Sequence, residues 1–428
     1  MQLSTLLGGQ LASPSGENLG KVDDVIVRLR EGDYPVVTGL VAKVGGRRLF
    51  VPMHMAAELA PEQVVLSQAT VDLRSFERRD GEVLLREDIL GHRLIDVADA
   101  ELVRAWDLEL QETGEGWVLR CLDTRRPPRL FGLIPRGSGR QCADWRSFEP
   151  LVGHTPSLRV RNVFGRLRKL KPAQIADLLE DASSTEGTEI LGAVHTDPEL
   201  EADVFEELDP DIANKLFGDK TDQEVAGVIA HMRADDAADA IAELPQARRQ
   251  KILDHLPAGT RAKVLTLLGF NATSAGGIMG VEFLAAPEDA TVEEALRRVR
   301  LATEVQLEAL VTVHCVDEAN RLCGTVNVVG LLQADPEARL TDVADTDPVR
   351  VNANSDVVDV ALLMADYNLM TVPVVDDDSR MLGIITVDDV LEATIPDDWR
   401  RREPPTRPEP VPETEEMAAF SNNSDLGG

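Results

Sequence analysis

No stretch of about 18 consecutive apolar residues occurs in this 428-residue chain, so the sequence offers no transmembrane helix. The opening Met1-Gln2-Leu3-Ser4 has no basic stretch leading into an apolar one, and no secretory signal is read there. Together these place the protein in the cytoplasm. The four cysteines, Cys121, Cys142, Cys315 and Cys323, form no C-x-x-C pair, which removes the usual zinc and dithiol motifs. Cys315 and Cys323 flank an expected hairpin and could face each other, but two reduced thiols suit a cytoplasmic chain better than a bridge. The seven histidines make no H-x-H or H-E-x-x-H, and no Gly-x-Ser-x-Gly elbow or Cys/His pair presents a nucleophile, so no enzyme is read. Basic charge is scarce too. Against 44 Lys and Arg stand 75 Asp and Glu, a formal net charge of −31, which repels phosphate backbones and argues against nucleic acid as a partner. Such a surface attracts divalent cations, although acidity can also serve solubility alone.

What is present falls into blocks. Lys21–Arg28, Pro35–Val44, Arg47–Pro52 and Gln63–Leu66 read as short strands, with Gly45-Gly46 turning the second into the third. Short strands with tight turns predict a small β-barrel over residues 1–80. Residues 81–150 read as a second, diverged copy, in which Val103–Gln111 alternates like one strand. From about residue 155 to 285 the pattern is helical. Leu208-Asp209-Pro210, Met232-Arg233-Ala234 and Leu256-Pro257-Ala258 open similar units 24 residues apart, and Lys171–Leu179 resembles an earlier one. A repeat of that length predicts a stacked α-superhelix. Residues 286–395 hold one α+β pattern twice. Helix Thr291–Arg300, strands Leu310–Val316 and Arg321–Asn327 and helix Val328–Gln333 are followed by helix Val357–Tyr367, strands Thr371–Val375 and Met381–Thr386 and helix Val387–Ala393. Residues 396–428, rich in Pro and Glu, are expected to be disordered.

Two resemblances attach to these blocks. Leu7-Gly8, Gly16, Leu19-Gly20-Lys21-Val22, Asp24-Val25 and Arg47–Pro52 resemble the PRC-barrel family, whose members act mostly as adaptor surfaces. Three further stretches resemble the cytosolic region of the MgtE family of magnesium channels. They are Met232–Asp239, Ser274-Ala275-Gly276-Gly277-Ile278-Met279, and Ala361–Asn368 together with Gly383–Leu391. The resemblance implies that the paired units are CBS domains forming a tandem (Bateman) module. The chain departs from that family after the pair. Trp399–Pro405 stands where a linking helix is expected, and two successive prolines end any helix there.

The MgtE resemblance implies Mg²⁺ bound between the superhelix and the CBS pair. Mg²⁺ keeps several of its waters and takes a few carboxylates. Asp235 and Asp239, one helical turn apart, match the family's acidic pair, and Asp335 and Asp356 match acidic positions of the CBS side. Asn354 stands where an Asp is usual. The competing reading is that these are helix-start and surface acids. CBS pairs also bind adenine nucleotides, ATP among them, through a Thr or Ser followed three residues on by an Asp. Thr386 and Asp389 fit, whereas Asn327 and Gly330 of the first repeat lack the acid. The competing reading is an N-cap with a first-turn acid. A homodimer through the CBS module and a membrane transporter as partner in trans complete what the resemblance implies, as a non-enzymatic regulator responding to Mg²⁺. The alternative is a structural adaptor with relic sites. Two motifs mislead. Gly16–Val22 imitates a phosphate loop but lacks its length and terminal hydroxyl, and Asp235-Asp236-Ala237-Ala238-Asp239 imitates a prenyl-transfer motif without its second copy.

Overall fold

The computed structural model describes residues 1–30, 33–68, 74–114, 116–125, 142–151, 165–303 and 305–396. The Pro- and Glu-rich stretch 397–428 lies outside the described residues. The chain divides into two compact units, Met1–Ala262 and Lys263–Gly428.

The first unit opens with a one-turn helix, Leu3–Leu6 (α1), and strands β1 (Gln10–Ala12), β2 (Asn18–Arg28), β3 (Val36–Val44), β4 (Arg47–Pro52), β5 (Ala56–Ala60) and β6 (Gln63–Leu66). Strands β7 (Glu82–Leu84), β8 (Arg93–Asp96), β9 (Glu101–Arg104), β10 (Asp107–Thr113), β11 (Gly116–Asp123), β12 (Ala143–Asp144) and β13 (Phe148–Pro150) follow. The two stretches read as successive barrels share one sheet. Its order is β10-β11-β3-β2-β1-β6-β5, with β4, β7 and β12 off that path, and β8, β9 and β13 form a smaller sheet. Alternating apolar residues of both stretches meet in one core, where Val25, Leu40 and Val64 pack with Leu85, Leu94, Leu119, Trp145 and Phe148.

Val103–Gln111 is not one strand. The chain changes partner at its middle: the Ala105 N–H donates to His92 O, and the Trp106 N–H donates to Asp123 O. Backbone pairing to two different neighbours overrides the alternation. Between β7 and β8 a π-type turn, Leu85–Ile89, is held by the buried Asp24, whose carboxylate accepts the N–H groups of Val25, Arg86 and Glu87 at 2.7, 2.7 and 3.1 Å.

The helices of this unit are α2 (Pro172–Asp181), α3 (Ser184–Val194), α4 (Pro198–Glu206), α5 (Pro210–Gly218), α6 (Asp222–Ile229), α7 (Ala234–Glu243) and α8 (Gln246–His255). The next, α9 (Ala258–Leu267), crosses the unit boundary. Helices α5, α7 and α9 begin 24 residues apart, as the sequence units do, and so do α4, α6 and α8. Pro at the first position of α2, α4 and α5 fixes the entry φ and costs no hydrogen bond, because that N–H would be unpaired anyway. Arg93 of β8 joins sheet to helices. Its Nη1 meets Asp181 at 2.8 Å and its Nε meets Glu186 at 2.9 Å, and Arg93 holds the Glu186 carboxyl down at about 2.

The second unit contains β14 (Ala285–Pro287), α10 (Val292–Leu301), β15 (Thr312–Val316), β16 (Leu322–Asn327), α11 (Val328–Gln333) and α12 (Leu340–Val343). It continues with β17 (Val351–Asn352), α13 (Val357–Tyr367), β18 (Thr371–Val375), β19 (Met381–Thr386) and α14 (Val387–Thr394). Each repeat is a three-stranded sheet, β14-β15-β16 or β17-β18-β19, with one parallel and one antiparallel pairing. Corresponding residues lie 59 apart, and the Thr312 and Thr371 hydroxyls that meet at 3.0 Å are such a pair. Leu322 donates to Ser379 O and Met381 to Asn320 O, closing the pair about a pseudo-twofold axis.

Candidate functional site

Thr386 ends β19 in extended conformation and caps α14. Its N–H and its hydroxyl donate to Asp389 Oδ2 at 2.7 and 2.9 Å, and the hydroxyl accepts the Asp389 N–H at 3.3 Å. This reciprocal capping box gives the Thr-x-x-Asp spacing a local structural use, and a ribose would be a second use for the same carboxylate. At the corresponding position of the first repeat, Asn327 Oδ1 accepts the Gly330 N–H at 2.7 Å and no carboxylate follows. His314 of β15 is buried, with Nδ1 3.3 Å from Leu284 O and the Phe283 ring edge-on at 5.8 Å. Burial pushes its pKa down to about 4, so the ring stays neutral near pH 7.

The Ser274–Met279 stretch is wound onto the second repeat. Ala275 donates to Ser355 O and Gly276 to Ala353 O, while Gly280 and Ile384 exchange both backbone hydrogen bonds. Its second glycine is needed for close approach: a Cβ on Gly277 would stand 2.2 Å from Asn271 O.

The acids of the helical part gather at the start of α7. The Arg233 N–H donates to Glu206 Oε1 at 2.8 Å, and its guanidinium contacts Asp236 directly with Glu206 Oε2 at 3.8 Å. Burial, then the neighbouring Asp235, pushes Asp236 up to about 8. Burial also raises Glu206 and Asp203. Burial works against the Arg233 charge, but Asp236, Asp235 and Glu206 outweigh it and raise its pKa. The Arg233 guanidinium is thus electrostatically coupled to Asp203, Glu206, Asp235 and Asp236. Asp235 is half-buried within this group, and Asp239 is exposed one turn further on. In the second unit, Asp335 and Asp356 are exposed turn and cap residues, whose Oδ1 atoms accept the N–H of Glu337 at 3.0 Å and of Val358 at 2.9 Å. Asp235 and Asp239 belong to the first unit and Asp335 and Asp356 to the second.

The described residues also hold a disulfide that the sequence did not suggest. Cys121 of β11 and Cys142 are joined in a disulfide across 21 residues, and Glu109 Oε2 lies 3.6 Å from Cys121 Sγ. Only the pairing of β11 with β12 brings these cysteines together, and their spacing carries no such signal. Cys315 and Cys323 are both free, the first buried and the second half-buried.

Comparison with known proteins bears on this arrangement. Residues 170–273 match the MgtE intracellular N domain and residues 340–395 the CBS domain. The structure is similar to the cytosolic domain of the Mg²⁺ channel MgtE solved in complex with ATP, at 30% identity and a TM-score of 0.51, covering 56% of this chain and 95% of that one. The chain belongs to the MgtE family. The magnesium transporter MgtE of Thermus thermophilus is 40% identical over 157 residues, and that of Enterococcus faecalis 31% identical over 130. These alignments span 35% and 28% of those transporters, about a third of their length. The soluble part of a magnesium transporter, at 23% identity and a TM-score of 0.51, shares the fold. MgtE membership rests on the helical repeats and the CBS pair. Among the described residues no helix is long and apolar enough to cross a membrane.

Proposed function

We propose that this MgtE-family chain is a non-enzymatic, cytoplasmic regulator in magnesium transport that responds to Mg²⁺ and to an adenine nucleotide. The observation that carries the reading is the start of α7, where Asp203, Glu206, Asp235 and Asp236 gather near Arg233. Carboxylates whose pKa values are raised by burial and by one another gain from a further cation, and a divalent ion keeping its waters suits half-exposed oxygens. Asp235 and Asp239 of the first unit and Asp335 and Asp356 of the second are its proposed ligands, with ion binding compacting the chain. Thr386 and Asp389 are the proposed ribose contacts of ATP or a related nucleotide. Exposed apolar residues on the CBS helices, among them Leu332 (66%), Leu362 (59%) and Leu391 (47%), support a homodimer through this module. A membrane transporter in trans is the proposed partner, and nucleic acid is not, given the net charge of −31. The β lobe would serve as an adaptor surface.

A second reading, a structural adaptor with relic sites, is favoured by one observation. Asp335, Asp356 and Asp389 each already satisfy local backbone N–H groups. Titration calorimetry of the full chain separates the two. The regulator should bind Mg²⁺ with Kd on the order of 10⁻³ M, typical of open carboxylate sites. Asp235→Ala with Asp239→Ala should abolish that heat. An unmutated chain giving no heat beyond a Na⁺ control would leave the adaptor.

A further inference from the structure

The first unit carries an open pocket of about 350 Å³ lined by Val97, Ala98, Arg146, Ser147, Arg166 and Lys169. In a chain of net charge −31, three of its six lining residues are cations and none is an acid. The cavity sits where the end of β8, the turn Trp145–Ser147 and the turn Arg166–Lys169 meet, so it joins the β lobe to the entrance of the helical repeats.

Its donors are partly fixed in place. Arg166 Nη1 donates to Phe148 O at 2.8 Å and reaches Trp145 O at 3.4 Å, while its backbone N–H donates to Glu149 Oε2 at 3.3 Å. Those bonds orient the guanidinium and leave Nε and Nη2 outside the bonds to the two carbonyls. Arg146 spends Nε and Nη2 on Asp144 at 3.2 and 3.1 Å and lies over the Tyr34 ring at 4.9 Å, so its Nη1 is the edge left over. Lys169 is exposed and forms no ion pair among the described residues. Ser147 belongs to the same lining and carries a hydroxyl, a neutral donor.

We propose that this cavity binds a small phosphate-bearing anion. Two guanidinium edges, an ammonium and a hydroxyl offer more donors than the two oxygens of a carboxylate can accept, and they suit the three terminal oxygens of a phosphate monoester or of orthophosphate. A volume of about 350 Å³ leaves room for an organic body beyond the phosphate. Bound there, the anion would bridge cations of the β lobe (Arg146) and of the helical entrance (Arg166, Lys169).

The test is ³¹P line broadening of orthophosphate and of glycerol phosphate by the full chain, at fixed ionic strength. Both probes should broaden, and tighter binding of the ester would assign the spare volume to its organic body. Lys169→Glu, at an exposed position, should weaken binding at least tenfold by removing one charge-assisted contact and adding repulsion. Ser147→Ala should weaken it several-fold, and Lys43→Glu on β3 should leave it unchanged. No broadening by the unmutated chain at millimolar phosphate, or equal broadening by unmutated and Lys169→Glu chains, would overturn the proposal.

Discussion

Asp389 has two assigned duties, and a pair of substitutions separates them. Its Oδ2 accepts both the N–H and the hydroxyl of Thr386, at 2.7 and 2.9 Å. Asp389→Ala removes this half of the capping box, which should destabilise the second unit by about 1 kcal/mol, and by 2 at most. If the carboxylate also holds a ribose, the same change costs a further 2–3 kcal/mol of nucleotide binding, roughly 30- to 150-fold in Kd. Asp389→Glu keeps the box, since Glu is a preferred third residue after a Thr cap, but moves the carboxylate outward by a methylene. Thermal unfolding should therefore place Asp389→Glu beside the unmutated chain and Asp389→Ala below it. Calorimetric ATP titration should place both variants together, well below the unmutated chain. Asp389→Glu binding ATP like the unmutated chain would refute the ribose contact and leave Asp389 as a cap alone.

Other expectations follow from the same coordinates. Burial pushes Asp24 up to about 6 from an ordinary 3.8, against the pull of three accepted N–H groups. The folded state thus holds a proton that the unfolded chain loses between these values, so stability falls by about 3 kcal/mol as pH rises from 4 to 6 and stays level above. Chemical denaturation across that window should lose its slope in Asp24→Ala, which should also be less stable by about 1–3 kcal/mol through unpaired N–H groups. A Cβ on Gly277 would lie 2.2 Å from the Asn271 carbonyl, so Gly277→Ala should cost about 3 kcal/mol in a melting experiment. Leu362→Asp, at a residue 59% exposed, should turn the proposed dimer into a monomer by light scattering while leaving the far-ultraviolet circular dichroism unchanged.

The CBS half was the most legible part of the sequence. Thr371–Val375 and Met381–Thr386 are the strands the β-branched residues mark, and Val357–Tyr367 is the helix that its apolar spacing marks. The 24-residue helical units were legible because each helix start carries its own Pro or Asp signal. Residues 82–113 were not. A π-type turn pinned by Asp24, from far upstream in the sequence, and a strand broken by a change of partner at Ala105 are set by distant backbone groups. The disulfide likewise depends on which strands pair, and so did not show in the cysteine spacing. The candidate site was legible as residues but not as roles. Thr386 and Asp389 carry the same letters whether they cap a helix or hold a ribose, and Asp235 gains its setting from Glu206 and Arg233, which sequence reading did not select.

The central proposal is that Mg²⁺ binding compacts this acidic chain. Like charges on a chain of net charge −31 oppose compaction, and mass action favours an ion-binding form by roughly 2.7 kcal/mol at about 100 times Kd. X-ray scattering of the full chain with Mg²⁺ and with chelator, at matched ionic strength, measures it directly. A smaller radius of gyration that requires Mg²⁺, does not appear with extra Na⁺ and is lost in Asp235→Ala with Asp239→Ala is the result expected. One radius in every condition would contradict it.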